Sequence, residues 1–278
     1  MTKSATSAQT HRRDVWAAGE AYEPYVGRWS RLVARDFIGW LALPSDARWL
    51  DVGCGTGVLT QAILAHAAPA GVTGIDPSDQ FIAYARRHTS APRASLRTGN
   101  AEALPFPDDL FDAVVAGLVL NFIPSPERAL AEMRRVLRPG GTGAVYVWDY
   151  AGEMQIIRHF WDAAISLDPN ARDLDEGRRF PICHPDPLLA LFRDAGFDRT
   201  ECRVIDVPTV FKNFDDYWSP FLGGQGPAPT YCSAFDDERR AKLREQLRAT
   251  LPIRSDGVIR LIARAFAVRG VRPGQTGS

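Results

Sequence analysis

The sequence predicts an α/β protein built on a mostly parallel sheet with helices on both of its faces. Two observations support this prediction. Short apolar runs typical of buried strands alternate with helical patterns from residue 47 to residue 149, and such alternation is typical of βαβ units. The first apolar run, WLDVGCGTG at residues 49–57, ends in three closely spaced glycines before a helical pattern begins. This arrangement is typical of a strand that leads through a ligand-binding loop into a helix.

The first half of the chain predicts a regular succession of elements. Apolar and aromatic residues recur at helical spacing between residues 15 and 41, with an interruption at Pro24, so we expect two helices ahead of the first strand. That strand follows the turn residues Pro44, Ser45 and Asp46. The elements expected after it are helices over 58–68, 78–87 and 126–137, and strands over 71–76, 94–97, 111–116 and 143–148.

The second half of the chain has a less regular pattern. It predicts helices over 154–167, 188–195 and 236–249, strands near 200–207 and 257–269, and irregular segments over 168–187 and 208–230. We therefore expect N-terminal helices that form a lid (1–46), a ligand-binding core (47–149) and a segment that completes the sheet (150–278). Two insertions in the last segment, about 150–185 and 208–250, are expected to form a helical cap over the substrate, because long excursions in compact domains are usually functional.

The glycine loop and a distant acid indicate the kind of ligand. Gly53 and Gly55 allow a tight turn and the close approach of a ligand, which a Cβ would obstruct. Nineteen positions beyond Gly57, an apolar strand ends on Asp76, whose carboxylate can accept hydrogen bonds from both hydroxyls of a ribose. The dinucleotide fingerprint requires a further glycine where Val58 stands. The sequence therefore favours a ligand with a ribose and without a pyrophosphate.

Three further motifs extend this pattern: GNAEALPF at 99–106, FDAVV at 111–115 and RVLRPGG at 135–141. Together with the glycine loop they cover about 47–149, in an order and at spacings that resemble the class I SAM-dependent methyltransferases. The chain is most similar to the small-molecule members of quinone biosynthesis and secondary metabolism. The resemblance implies a Rossmann-like sheet of seven strands with the last strand antiparallel, and S-adenosyl-L-methionine (SAM) as the cofactor.

The resemblance also implies which residues hold the cofactor. Asp76, followed by Pro77, would bind the ribose, and Asp51 would lie near the methionine ammonium group. Asn100 would meet the adenine amine through its side-chain oxygen, and Ala101 would donate its backbone N–H to a ring nitrogen. Many relatives have Asp where Asn100 stands, but the amide keeps an acceptor. The other expected cofactor contacts are Gly53, Cys54, Gly55, Glu102 and Leu118.

The segment YVGRWS at residues 25–30 resembles an N-terminal stretch that folds over the cofactor in small-molecule methyltransferases. We therefore expect Tyr25 to contact the cofactor and Arg28 to pair with its carboxylate through a charge-assisted hydrogen bond.

The residues around the acceptor are less clearly indicated. His159 and His184 are candidate bases, because histidine titrates near neutral pH and both lie in the expected cap, although neither belongs to a recognisable motif. Asn121 follows the fourth strand, where relatives often carry a polar residue that faces the acceptor. No catalytic base is assigned. The side chains expected to wall an apolar acceptor pocket are Trp148, Trp161, Tyr217, Trp218 and Phe221.

Composition limits the partners and the compartment. The 33 basic and 33 acidic residues cancel, so no global field attracts the chain to nucleic acid or to an anionic membrane. The four cysteines are widely separated and show neither zinc-ligand spacing nor a disulfide framework. No stretch approaches the ~20 apolar residues of a membrane span. We expect a cytoplasmic enzyme without a metal, either a monomer or a homodimer. It would transfer a methyl group to O, N or C of a small aromatic or polyketide-like molecule.

Two alternatives stay open at this stage. The first is methylation of RNA or protein, which the neutral charge makes less favourable. The second is a SAM-binding partner protein without turnover, because the glycine loop and the acids indicate binding rather than chemistry. The Asn-Pro-Pro-aromatic signature of adenine and glutamine N-methyltransferases is missing after the fourth strand, which argues against those amines as targets.

Overall fold

The computed structural model describes residues 27–223 and 226–274. Its seven strands belong to one sheet. They are β1 (Arg48–Val52), β2 (Gly71–Asp76), β3 (Ala94–Thr98), β4 (Phe111–Gly117), β5 (Leu137–Trp148), β6 (Asp198–Phe211) and β7 (Ile259–Val271).

The strand order across the sheet is β3-β2-β1-β4-β5-β7-β6. The first five strands in this order pair in parallel, and β7 runs antiparallel to both β5 and β6. The predicted fold class is thus confirmed, including the antiparallel last strand. The chain leaves β1 towards β2 and leaves β4 towards β5, so the loops after these neighbouring strands diverge and open a crevice at their carboxyl ends.

Helices surround this sheet. In chain order they are α1 (Arg28–Leu41), α2 (Val58–His66), α3 (Asp79–His88), α4 (Pro126–Val136), α5 (Gln155–Leu167), α6 (Glu176–Arg179), α7 (Pro185–Asp194), α8 (Phe214–Trp218), α9 (Pro227–Ser233) and α10 (Asp237–Thr250). Three short 3₁₀ turns lie at Leu120–Phe122, Pro169–Asp173 and Ser219–Leu222.

Helix α1 corresponds to the second of the two predicted N-terminal helices, and the first falls outside the described residues. Its apolar face buries Val33 and Phe37 completely, and the ring of Phe37 lies 4.7 Å from that of Tyr146 on β5. At its other end, Arg269 donates to the backbone carbonyls of Trp40 and Leu41. These contacts fix α1 against the sheet, with its N-terminal end close to the crevice.

Of the two strands nearest the far edge, β6 is longer than predicted, whereas β7 keeps the predicted length and is shifted by two residues. Strand β6 continues through Pro208 to Phe211, because an edge strand tolerates a proline that cannot donate to the ladder. Trp148, the last residue of β5, pairs with Ala265, so the start of β7 projects beyond β5 together with the end of β6.

The predicted insertions pack around this projecting pair of strands. Helix α5 contacts β7, α9 and α10. The segment 168–187, expected to be irregular, contains a 3₁₀ turn, α6 and the start of α7. Helix α7 begins at Pro185 rather than at residue 188 because proline is favoured in the first helical turn.

Buried polar contacts hold the first insertion in place. Arg158 donates two hydrogen bonds to Asp175, at 3.1 and 2.8 Å, and Trp161 donates its indole N–H to Glu176. Burial raises the pKa of Glu176 to about 8.

Among the described residues, no helix is both long enough and apolar enough to cross a membrane.

Candidate cofactor and acceptor site

A cavity of about 310 Å³ opens at the carboxyl ends of the central strands. Its wall is formed by the carboxyl ends of β1, β2 and β4, the loops that follow β1, β2, β3 and β4, and the first turns of α2 and α3, together with Ser30 on α1 and Tyr146 on β5. Nine of the predicted cofactor residues lie on this wall: Asp51, Gly53, Cys54, Gly55, Asp76, Pro77, Asn100, Ala101 and Leu118.

The glycine loop is held tightly against β2. The backbone N–H groups of Gly53 and Cys54 both donate to the carbonyl of Ile75, at 2.7 and 3.0 Å. A Cβ on Gly53 would lie 2.6 Å from the side chain of Val119, whereas a Cβ on Gly55 would meet nothing within 4 Å. Gly53 thus allows close packing of two loops, and Gly55, with φ +50°, leaves open space in front of the loop.

Asp76 is buried at the end of β2 with its carboxylate held by backbone donors. One oxygen accepts from the N–H of Gly55 at 3.0 Å, and the other accepts from the N–H of Ser78 at 2.9 Å. Burial raises the pKa of Asp76, and these two hydrogen bonds oppose the rise. Each oxygen keeps further acceptor capacity, so this carboxylate fits a vicinal diol such as that of ribose.

Asp51 is the most deeply buried acid on the wall. Its Oδ2 accepts from the hydroxyl of Thr60 at 2.6 Å, while its Oδ1 is buried without a partner among the described residues. Burial raises the pKa of Asp51 to about 7, since its hydrogen bond with Thr60 only partly offsets the lost hydration. A buried acceptor without a donor costs stability, so this oxygen fits a ligand that brings a donor or a positive charge.

The loop after β3 has a compact turn at the cavity wall. The side-chain oxygen of Asn100 accepts from the N–H of Glu102 at 2.9 Å, and the N–H of Ala103 donates to the carbonyl of Asn100 at 3.2 Å. Asn100 and Ala101 face the cavity, but Glu102 does not. The expected contact of Glu102 with the cofactor is thus corrected, because the backbone N–H of Glu102 donates within the turn and the residue does not line the cavity.

The loop after β4 forms the opposite wall. Leu118 has a φ of +59°, an uncommon conformation for a residue with a side chain, and its N–H donates to the carbonyl of Tyr146 at 2.8 Å. A Cβ on Gly117 would lie 2.5 Å from the Tyr146 hydroxyl. Sequence reasoning misses Tyr146, because it reads as an ordinary position on a buried strand and only the fold brings it to the site. It does not single out Ser30 either, although Ser30 ends the segment 25–30 that is expected to fold over the cofactor.

Arg28, expected to pair with the cofactor carboxylate, is directed to other partners. Arg28 donates to Asp216 at 3.2 Å, and its guanidinium lies over the rings of Trp29 and Phe211, at 4.2 and 4.8 Å from their centroids. It is not part of the cavity wall. Arg28 therefore pairs with the carboxylate of Asp216 and not with the cofactor carboxylate expected from the sequence. Tyr25 lies outside the described residues.

Neither candidate histidine lies on the cavity wall. His184 is an exposed residue at the start of α7, with its ring 6.1 Å from that of Phe266. His159 is half-buried on α5, where burial lowers its pKa. Both candidates are thus corrected, because neither lies where it could act as a base in this cavity. Asn121 lies in the turn Leu120–Phe122 beside the wall, with both polar side-chain atoms buried and unpartnered among the described residues.

The predicted aromatic acceptor wall is core instead. All five residues are at most 5% exposed and none lines the cavity. Trp161 and Tyr217 use their polar atoms on Glu176 and on the carbonyl of Ile156, as buried aromatics with a polar atom usually do. The residues to which this correction applies are Trp148, Trp161, Tyr217, Trp218 and Phe221.

The first insertion nevertheless reaches the cavity through a different aromatic residue. Phe180, directly after α6, contacts the cavity-lining ring of Phe122 edge to face, at 5.1 Å between centroids. The ring of Tyr150 lies 5.8 Å from Phe180 on another side. The wall after β4 is therefore backed by the insertion.

The residues of this wall fit SAM. The partnerless oxygen of Asp51 suits a cationic donor, the oriented carboxylate of Asp76 suits the ribose, and the open space at Gly55 admits a ligand close to the backbone.

Comparisons with known proteins agree with this geometry. Residues 50–145 match the family model described as a methyltransferase domain. A demethylmenaquinone methyltransferase of Symbiobacterium thermophilum is 32% identical over 216 residues, covering 66% of this chain and 81% of the relative. The corresponding enzyme of Staphylococcus aureus strain JH9 is 39% identical over 187 residues, covering 63% and 76%.

A solved structure shows the same fold at low identity. Phosphoethanolamine N-methyltransferase 2 of Haemonchus contortus, in complex with SAM, aligns with a TM-score of 0.57 at 15% identity, covering 91% of this chain and 56% of that one. The family match, the two relatives and the fold together show that the chain belongs to the class I SAM-dependent methyltransferases.

Proposed function

We propose that the enzyme methylates a carbon or an oxygen of a small, ring-bearing, apolar acceptor. The observation that carries this proposal is the cavity wall after β4, where Leu118, Val119, Phe122, Ile123 and Pro124 contribute only apolar side chains. Such a surface suits the burial of a hydrophobic ring. Within the described part of the chain, this wall offers no charged group to a phosphate backbone or to a phosphorylated amine.

We assign the cofactor contacts along the other loops. Asp76 binds the ribose hydroxyls, Asp51 lies near the ammonium group, and the Gly53–Gly55 backbone approaches the methionine portion. Asn100 and Ala101 lie beside the adenine. The order of these residues along the wall, from β1 through β2 to β3, supports the assignment.

SAM supplies an electrophilic methyl group when it is bound. In the described residues, the titratable side chains on the wall are Asp51, Cys54, Asp76 and Tyr146, with no histidine, lysine or glutamate among them. This composition favours alignment and exclusion of water over base catalysis. The acceptors that fit are nucleophilic by themselves, such as an electron-rich ring carbon or a phenolate oxygen. The names of the two demethylmenaquinone methyltransferases support a quinone-type ring.

The compartment and the assembly belong to the same proposal. We place the enzyme in the cytoplasm as a monomer or a homodimer, and all four cysteines are free thiols, as is usual in a reducing compartment.

The test is methyl transfer from isotopically labelled SAM to a set of acceptors: a reduced naphthoquinone without a ring methyl, a simple phenol, phosphoethanolamine and RNA. We expect label in the reduced naphthoquinone or the phenol, with the mass gain of one CH₂. Label in RNA or phosphoethanolamine alone would overturn the acceptor class. If the protein binds the cofactor but labels none of these substrates, the alternative of a SAM-binding partner protein without turnover would be favoured.

A further inference from the structure

The motif at residues 135–141 has no role in the cavity wall, yet its first residue is among the most heavily bonded side chains of the chain. Arg135 on α4 donates to the carbonyl of Leu104 at 3.0 Å and to the carbonyl of Phe106 at 2.8 Å. It also donates to Asp108 at 2.7 Å. Both carbonyls belong to the loop between β3 and β4, which also contains Asn100 and Ala101.

Glu132 completes this arrangement from one helical turn earlier. It accepts two hydrogen bonds from Arg135, at 2.7 and 2.8 Å, and a third from the N–H of Leu104 at 2.7 Å. The pair therefore binds the peptide N–H and the C=O of Leu104 at once. Arg135 holds the pKa of Glu132 below its usual range, so both partners are charged at neutral pH.

The loop transmits this anchoring to the cavity over a short distance. Leu104 is buried and directly follows the turn in which Ala103 and Glu102 donate to Asn100. Neither Glu132 nor Arg135 lines the cavity. Their contacts with the loop are to backbone atoms and to Asp108, so they fix where the loop lies and leave its cavity face free.

We propose that Glu132 and Arg135 are positioning residues for cofactor recognition, which hold the Asn100–Ala101 backbone and side chain where they distinguish adenine from other bases. This inference rests on the proposed placement of adenine beside Asn100 and Ala101. The physical reason is that hydrogen-bond recognition depends on donor and acceptor distances of a few tenths of an ångström. A loop held at one end only would lose that geometry.

The matched comparison is Arg134, the preceding residue on the same helix. It is also partly buried, and its Nε donates to the carbonyl of Gly196 at 3.0 Å, which lies after α7 and away from the cavity wall. Replacement of either arginine by methionine removes a guanidinium group that donates hydrogen bonds to the backbone. Only the Arg135 variant releases the loop.

The experiment measures affinity by calorimetry for S-adenosylhomocysteine and for S-inosylhomocysteine, in which a carbonyl replaces the adenine amine. We expect the native protein to prefer the adenine compound by about tenfold or more, since a site built to hydrogen-bond one group rejects its replacement. Arg135→Met should lower the affinity for S-adenosylhomocysteine about tenfold, the scale of one lost hydrogen bond, and should bring the preference close to unity. Arg134→Met should keep the preference.

Two further variants separate positioning from a general loss of stability. Glu132→Gln keeps an oxygen that can accept from Leu104 and should retain much of the preference, whereas Glu132→Ala should lose it. Thermal unfolding of all four variants shows whether each is folded.

The failures are distinguishable. Equal affinity of the native protein for the two compounds would overturn the adenine placement and the positioning role with it. A preference retained in both Arg135→Met and Glu132→Ala would overturn the positioning role alone. An equal loss of preference in Arg134→Met would show that helix α4 acts only through stability, which also overturns the proposal.

Discussion

At the scale of single residues, Asp51 links ligand binding to pH. Its pKa of about 7 results mainly from burial, so the carboxyl changes its charge in the physiological range. The ionised form attracts a cationic ligand group, and the protonated form does not. We expect the affinity for S-adenosylhomocysteine to rise about tenfold or more as the pH increases from about 5.5 to about 8.5, on the scale of a hydrogen bond to a charged group.

The same residue should affect the ligand-free protein in the opposite direction. A carboxyl whose native pKa lies above its unfolded value contributes stability at low pH, and that contribution is lost as the pH rises from about 4 to about 7. Asp51→Asn should therefore weaken the pH dependence of both the calorimetric affinity and the melting temperature. Unchanged pH profiles in a folded Asp51→Asn protein would remove Asp51 from the site.

At the scale of elements, Phe180, directly after α6, connects the first insertion to the wall after β4, where we propose that the acceptor binds. Phe180→Ala removes the ring that backs Phe122, so we expect a higher acceptor KM with the affinity for S-adenosylhomocysteine within about twofold, as when only acceptor contacts are lost. Steady-state kinetics measure this, with whichever acceptor takes up the label in the methyl-transfer test. Phe235, another partly buried ring, packs against Tyr231 and does not line the cavity, so Phe235→Ala provides the control variant. Similar kinetic losses in both variants would contradict a specific role for Phe180.

The elements that sequence predicts well are those that local patterns specify. Strand β2 has its predicted bounds, because a short apolar run between glycine and Pro77 allows few alternatives. The sequence pattern ends β6 too early, before Pro208, because a proline usually marks the end of a strand. A proline is tolerated in an edge strand, but whether a strand lies at the edge depends on the whole sheet.

In the site, too, the residues that local sequence patterns specify are predictable and those that only the fold brings together are not. Cofactor residues within the glycine loop and at the ends of β1 and β2 were predictable because the motif is contiguous. Tyr146 and Ser30 reach the wall only through the packing of β5 and α1. The aromatic residues of the insertions are wrongly predicted to line the acceptor pocket. The sequence shows that these side chains are apolar but not which way they point. Trp161 and Tyr217 point into the core, and Phe180, in the same insertion as Trp161, faces the wall.

At the scale of the whole molecule, cofactor binding should stabilise the fold through the loops that meet at the cavity. At a concentration one hundred times its Kd, a ligand that binds only the folded state adds about 2.7 kcal/mol. For a protein of this size that corresponds to about 5–10 °C in Tm. We expect S-adenosylhomocysteine to produce this shift in the native protein and a much smaller shift in Asp76→Asn.

Asp79 offers the matched control for this measurement. It is an exposed acid three residues beyond Asp76 and accepts from the hydroxyl of Thr98. Asp79→Asn should keep the full shift in Tm. Equal shifts in the native protein and in folded Asp76→Asn would mean that the ribose carboxylate has been assigned wrongly.

The position of β7 has a consequence for the order in which the chain can fold. This strand is the last of the seven to be synthesised, yet it lies between β5 and β6 and provides the ladder partners of β6 along its whole length. During translation β1 to β5 can pair as soon as they emerge from the ribosome, but β6 has no partner until residues 259–271 are complete. Until then both edges of β6 stay unpaired, and an unpaired strand edge makes a nascent chain prone to aggregation.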